Sequence, residues 1–263
     1  MNILDKIVLR KKEEVAIAKS SKPLNTLEAS SYFSRTPYDF RASLLNPERT
    51  GIIAEFKRSS PSKGVINGKV SVADVTQGYA AAGASALSVL TDQDFFGGIY
   101  ADLAVARENN DIPVLRKDFI IDEYQIVESK AMGADIILLI AAILTPEQIS
   151  SFAAQAKSLG LNVLLEVHNR EELERSITGN IDAIGVNNRN LADFSVNIQN
   201  SFDLVNLIPD NVMKISESAI SDPAIISELK QAGFNGFLIG ENFMKTDDPA
   251  AAMQRFVSEL RSV

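Results

Sequence analysis

The stretch IIAEFKRSSPSKG, residues 52–64, begins as a short apolar run and ends by setting Glu55 and Lys57 on alternate positions before it breaks into Ser, Pro, Lys and Gly. Alternate residues of an extended chain share a face, so two opposite charges stand together where the run stops. The same ending recurs. Lys117 follows VLR, Glu166 follows VLL, Asn187 and Arg189 follow AIGV, Glu217 and Ser218 follow MKIS, and Gly240 and Glu241 follow GFLI. Taken alone, each could be an ordinary solvated loop residue. Brought together, Lys57, Lys117 and Arg189 would form a cationic cluster suited to an anionic ligand, and the carboxylates among them would supply acid and base pairs.

The elements that must position these residues alternate along the chain beyond about residue 50. Eight apolar runs read as strands: Ile52 to Phe56, Ala86 to Leu90, Val114 to Lys117, Asp135 to Ile140, Val163 to Glu166, Ala183 to Val186, Met213 to Ile215 and Gly236 to Ile239. Helical periodicity fills the gaps, as at Val72 to Ala82, Asp122 to Met132, Pro146 to Leu159, Asp222 to Ala232 and Ala250 to Arg261. A weak repeat, AAGASALSVL, AMGADIILLI, SLGLNVLLEV and QAGFNGFLIG, ends a helix at a glycine and enters a strand each time. Gly83, Gly133, Gly160 and Gly233 suit the left-handed position after a helix. Eight such units with near-continuous apolar strands predict a (β/α)8 TIM barrel, in which strand-end residues meet in one mouth. A doubly wound sheet is the alternative, but no G-x-G-x-x-G follows the first strand.

No linker rich in Pro, Gly or Ser divides the chain, so a single domain over residues 1–263 is expected, with residues 1–48 as an N-terminal helical extension covering the barrel's bottom or bordering its mouth. Leu4, Ile7, Val8, Val15 and Ala18 fall on one side of a helix, and Asp39 to Leu45 reads as another. Lys11 lies on the apolar side of the first helix and is expected to reach out to water.

Composition narrows the function classes. With 46% hydrophobic and 23% charged residues the chain is of ordinary globular make-up. Lys and Arg number 26 against 34 Asp and Glu, a net charge of −8, which disfavours nonspecific binding to nucleic acid or an anionic membrane. The absence of cysteine excludes disulfides, thiolate metal sites and a Cys nucleophile, and a single histidine, His168, argues against a metal cluster. The longest apolar run, Ile136 to Leu144, is nine residues, against about 20 for a membrane span. The basic N-terminus is interrupted by acids and followed by no cleavage site, so a cytoplasmic, untargeted protein is expected.

IIAEFKRSSPSKG closely resembles the signature of the indole-3-glycerol-phosphate synthase family, and SVLTDQDFFGG, VLRKDFIID, LLEVHNREEL, IGVNNRNL, ISES and FLIGENFM follow in that family's order. The resemblance implies ring closure of 1-(2-carboxyphenylamino)-1-deoxyribulose 5-phosphate, with loss of carbon dioxide and water, in tryptophan biosynthesis. It implies Lys117 as the general acid at the ketone and Lys57 and Ser60 as partners of the substrate carboxylate, with Lys57 also helping hydroxide to leave. Glu166 would be the base of the dehydration, Glu55 would orient the lysines, and Asn187 and Arg189, with Glu217 beside them, would organise the sugar hydroxyls and carboxylates. A lysine between carboxylates stays protonated and can act as an acid, while desolvation is expected to draw its pKa down toward the working range.

A planar aromatic substrate needs apolar walls, for which Phe96, Phe119, Leu138 and Leu191 stand at or just past strand ends. Barrels commonly hold phosphate after strands seven and eight, where SESA (216–219) and IGEN (239–242) offer backbone N–H groups of Ser218, Ala219, Gly240 and Glu241. The family more often has glycine where Ala219 stands, which puts a positive-φ turn in question. No metal or organic cofactor is expected, and the partner is a phosphorylated small molecule, with the chain a monomer or weak homo-oligomer. His168 reads as a satisfied structural residue, and Thr91, Asp92 and Asp94 are left out of the site, the two acids as solvating loop charges. Rival readings are another phosphate-binding barrel, such as an isomerase using Cys and Asp, against which the missing Cys counts, and a barrel that binds phosphometabolites without catalysis.

Overall fold

The computed structural model describes residues 2–190 and 194–262. Eight parallel strands, β1 (Ile52–Phe56), β4 (Ala86–Leu90), β5 (Val114–Lys117), β6 (Ile136–Ile140), β7 (Asn162–Val167), β8 (Ala183–Asn187), β9 (Met213–Glu217) and β10 (Gly236–Ile239), close into a barrel in chain order, with β10 pairing back onto β1. Two further strands, β2 (Ser59–Ser60) and β3 (Gly64–Val65), form a small antiparallel pair inside the first strand-to-helix loop, which the sequence did not announce. The helices outside the barrel are α4 (Val72–Ala81), α5 (Tyr100–Glu108), α6 (Glu123–Ala131), α7 (Pro146–Ser158), α8 (Arg170–Ser176), α9 (Gln199–Leu204), α10 (Pro223–Ala232), α11 (Glu241–Met244) and α12 (Pro249–Leu260). Among the described residues no helix is long and apolar enough to cross a membrane.

Local chemistry sets the ends of these elements. Thr145 caps α7 in a reciprocal box with Gln148, with Pro146 in the first turn, and Asp222 and Asp248 cap α10 and α12 ahead of Pro223 and Pro249. At the opposite ends, Gly83, Gly133, Gly160 and Gly233 all take positive φ, from 75° to 111°, and turn the chain back into the next strand as expected.

Strand alternation divides the core in two. Ile52, Ala54 and Phe56 of β1, like Val163, Leu165 and Val167 of β7, face the helices, whereas Ile53, Leu115, Ile136, Leu164 and Ile215 fill the lower barrel. Two residues further along the inward set, those same strands carry Glu55, Lys117, Leu138, Glu166 and Glu217. The barrel thus passes from a dry floor to a polar rim within one strand length. Asp135, expected as the first residue of the fourth strand, lies just before it. It is buried at the barrel's lower end by Arg35 at 2.6 Å and Arg107 at 2.8 Å.

The N-terminal segment comprises α1 (Ile3–Ser21), α2 (Leu24–Glu28) and α3 (Phe40–Leu44), and it reaches both ends of the barrel. Phe40 and Leu44 join the interior floor, and Ile3, Leu4 and Ile7 of α1 border the mouth. Lys11 overturns its expectation. Its side chain is 1% exposed, because Nζ finds Glu14 at 2.6 Å, Asp118 at 2.9 Å and Asp92 at 3.0 Å and has no need to reach water. Asp92 is likewise buried rather than a solvating loop charge, whereas Asp94 is half exposed and pairs with Arg10. Asp118 also takes Arg116 and the Thr91 hydroxyl; burial opposes its charge, but Arg116 and Lys11 draw its pKa down to about 2.

Candidate active site

Lys117 is the centre of the polar rim. Its Nζ lies 2.6 Å from Glu166 Oε2, across on β7, and 3.4 Å from Glu217 Oε2 on β9. Burial works against its charge, but the carboxylates of Glu166, Glu217 and Glu55 outweigh that and hold the ammonium above the ordinary lysine range. The downward shift expected from desolvation is therefore overruled by charge.

Glu166 is buried too, yet Lys117 and then His168 keep its carboxyl well below the usual carboxylate range. Glu217 goes the other way: burial, with the repulsion of Glu166 and Glu55 behind it, pushes it up to about 7 despite Lys117. Two carboxylates beside one ammonium have thus been separated by environment, one ionised and one able to hold a proton near neutrality.

Glu55 and Lys57 pair at 2.8 Å on the rim of β1, with Ser88 Oγ 3.4 Å from the other oxygen of Glu55. Asn187 donates to Glu166 Oε1 at 3.1 Å and accepts from the Arg189 backbone and the Ser218 hydroxyl, each at 3.0 Å. Arg189 reaches Glu241 at 3.2 Å. The cleft enclosed by these groups is lined as well by Ser60, Phe96, Phe119 and Leu138, with the Phe96 and Phe119 rings 5.9 Å apart as a tilted pair. Leu191 lies outside the described residues.

The cleft continues into a second recess that shares Lys57, Arg189 and Ser218 and adds Ala219, Gly240 and Lys245. Ser218 and Ala219 both take left-handed backbone, φ 65° and 64°. The tight turn expected of a glycine is therefore present with alanine in it. Gly240, in front of α11, is needed for space, since a Cβ there would stand 2.6 Å from Glu55 Oε1.

The residues marked by the sequence thus converge, apart from Leu191, and the structure adds others. Gly185 lies against Glu217, where a Cβ would collide with Oε1. That oxygen has no hydrogen-bond partner among the described residues. His168, set aside from the sequence, touches Glu166; the signal was its spacing of two from Glu166, which puts both on the inward face. Lys245 and the α1 side chains gave no such signal, because their approach depends on how helices dock. Among the described residues no group of three or more His, Cys, Asp or Glu is arranged to hold a metal ion.

A family model described as indole-3-glycerol phosphate synthase matches residues 4–256. The indole-3-glycerol phosphate synthase of Bacteroides thetaiotaomicron is 46% identical over 99% of both chains, and that of Burkholderia vietnamiensis is 45% identical over 97% of this chain and 98% of its own. Among solved structures, a chain of the tryptophan synthase complex from Pyrococcus furiosus superposes with a TM-score of 0.60 over 82% of this chain and 99% of its own at 15% identity, a likeness of fold alone.

Proposed function

This chain belongs to the indole-3-glycerol phosphate synthase family, and from that premise we propose that Lys117, Lys57 and Glu166 divide the proton transfers of its ring closure. The activity is that of an indole-3-glycerol phosphate synthase, a decarboxylating step of tryptophan biosynthesis. The substrate we assign, 1-(2-carboxyphenylamino)-1-deoxyribulose 5-phosphate, brings a phosphate, an aromatic carboxylate and a ketone. Its phosphate fits the recess at Ser218, Ala219, Gly240 and Glu241, where Lys57, Arg189 and Lys245 supply positive charge. Its carboxylate falls to Lys57 and Ser60, and its ring to the Phe96, Phe119 and Leu138 walls.

In the condensation, the ring carbon that bears the carboxylate attacks the ketone carbon, and the carbonyl oxygen takes a proton from the Lys117 ammonium. The carboxylate then leaves as carbon dioxide, its bonding electrons restoring the aromatic ring. In the dehydration, Glu166 takes a proton from the methylene carbon beside the nitrogen while the hydroxyl departs as water with a proton from Lys57. Two protons are given and one is taken, so one is drawn from solvent over the cycle. Glu166, 2.6 Å from Lys117, can return its proton directly to that amine.

The placement of Lys117 between Glu166 and Glu217, at 2.6 Å and 3.4 Å, is the observation that carries this assignment. The test is incubation with the substrate, following indole fluorescence, for the natural chain and for Glu166→Gln. The substitution keeps size and hydrogen bonding but removes the base, so kcat should fall by roughly 10²-fold or more with little change in KM. Near-normal turnover would remove Glu166 from the reaction.

A further inference from the structure

We propose that His168, clamped by Glu172, is a positioning residue for the reaction: it fixes the Glu166 carboxylate from behind and sets a second positive charge against it. The proposal rests on Glu166 being the base. His168 Nε2 lies 3.3 Å from Glu166 Oε1, and His168 Nδ1 lies 3.1 Å from Glu172 Oε2. The imidazole is 11% exposed and stands between the catalytic cleft, which Glu166 lines, and a polar cavity on the other side, which His168 and Glu172 line.

Geometry sets the charge of the ring. A neutral imidazole presents a lone pair at one nitrogen, and here either nitrogen would turn that lone pair on a carboxylate. Only the doubly protonated form sets no lone pair against either carboxylate. The Nε2 contact lacks hydrogen-bond alignment among the described residues, so its attraction is that of charge. Glu172 is itself fixed, since its Oε2 also accepts the His168 backbone N–H at 2.8 Å and its Oε1 accepts Asn169 Nδ2 at 3.0 Å in the first turn of α8.

Further groups face the ring and its carboxylate partner from the neighbouring elements. Asn200 of α9 donates to the His168 carbonyl at 3.0 Å, and Asn187 of β8 shares Glu166 Oε1. Lys117 of β5 holds the opposite oxygen of Glu166, with Glu217 of β9 and Glu55 of β1 behind it, and Arg189 borders the cavity on the far side. Burial opposes a charge on His168, but Glu166 and Glu172 raise it to about 9, so the ring stays cationic through neutrality. The sequence LLEVHNREEL already contains the device: Glu166 and His168 share a strand face, and Glu172 lies one helical turn on.

The experiment is the pH profile of kcat for the natural chain, His168→Gln and Glu172→Gln. Losing the imidazolium removes one of the two cations at Glu166, so its carboxyl should titrate higher and the acid limb of the profile should move up by about one pH unit. Glu172→Gln weakens the clamp and should move the limb the same way by less, and it decides the matter if His168→Gln does not fold. In a Glu166→Gln background, His168→Gln should lower kcat no further, because it acts through the carboxylate. A folded variant whose acid limb stays in place would overturn the positioning role. Full activity of Glu166→Gln would sink the base assignment itself, an outcome separable from the first.

Discussion

At the residue scale, Lys117 has two possible jobs that separate under one substitution. Lys117→Met keeps most of the stem's packing and removes both charge and proton. If the ammonium is the general acid, kcat should fall by roughly 10²–10⁴-fold, while KM changes less, since phosphate and carboxylate keep their other partners. A collapse of affinity with turnover at saturation intact would make Lys117 an anion clamp and pass the acid role to Lys57. The carboxylates that hold Lys117 charged also explain why Glu166 matters to it, for a proton taken by Glu166 weakens the hold on the lysine's own proton.

His168 makes a second prediction at this scale, for stability. Its folded pKa is raised from 6.5 to about 9. The stabilisation is therefore complete below about pH 6.5 and is lost as pH rises through about 9, amounting to at most ~3 kcal/mol. Denaturant midpoints across that window should fall for the natural chain and stay flatter for Glu172→Gln.

At the scale of elements, the turn after β9 holds two consecutive left-handed residues, Ser218 and Ala219, where side chains pay a steric cost. Ala219→Gly should relieve that strain, offset in part by the greater freedom of glycine in the unfolded chain, for a net gain of about 1 kcal/mol or less. Equilibrium unfolding measures the gain, and an unchanged KM would show that the backbone donors keep their places. A loss of stability would mean that the alanine methyl is packed usefully. The neighbouring Gly240 is a different case. A side chain there collides with Glu55 as well as narrowing the recess, so its replacement would disturb the rim carboxylates along with phosphate binding.

At the scale of the whole molecule, Lys11 ties α1 to the barrel's rim. It meets Asp92 beyond β4 and Asp118 immediately after Lys117, while Ile3, Leu4 and Ile7 of the same helix form part of the cleft wall. Lys11→Met would leave two buried aspartates short of a cation, a kind of break that costs about 3–5 kcal/mol. We expect a lowered unfolding midpoint together with a raised KM as the helix loosens from the mouth. A variant as stable as the natural chain would mean that Arg116 and the Thr91 hydroxyl suffice for Asp118.

The barrel and most of its rim were legible because both follow from short-range rules. Period-two alternation puts apolar residues inward and outward along each strand, a break into polar residues marks the upper end of most strands, and glycine marks the turn back after four of the helices. Those rules alone assigned the eight strands to within two residues at each end, Met213 to Ile215 stopping two short of Glu217, and gathered Glu55, Lys57, Lys117, Glu166, Asn187, Arg189 and Glu217 into one mouth. What the sequence left undecided depends on distances between elements far apart in the chain. Whether Lys11 meets water or two aspartates is set by the docking of α1, and whether Lys117 is pushed down by burial or up by charge is set by where β7 and β9 place their carboxylates. His168 was visible as a residue but not as a partner, because its meaning lies in a ring held between two acids, one on the strand just before it and one on the helix that follows. Electrostatic effects of this kind vary steeply with separation and burial, and only the closed barrel fixes both.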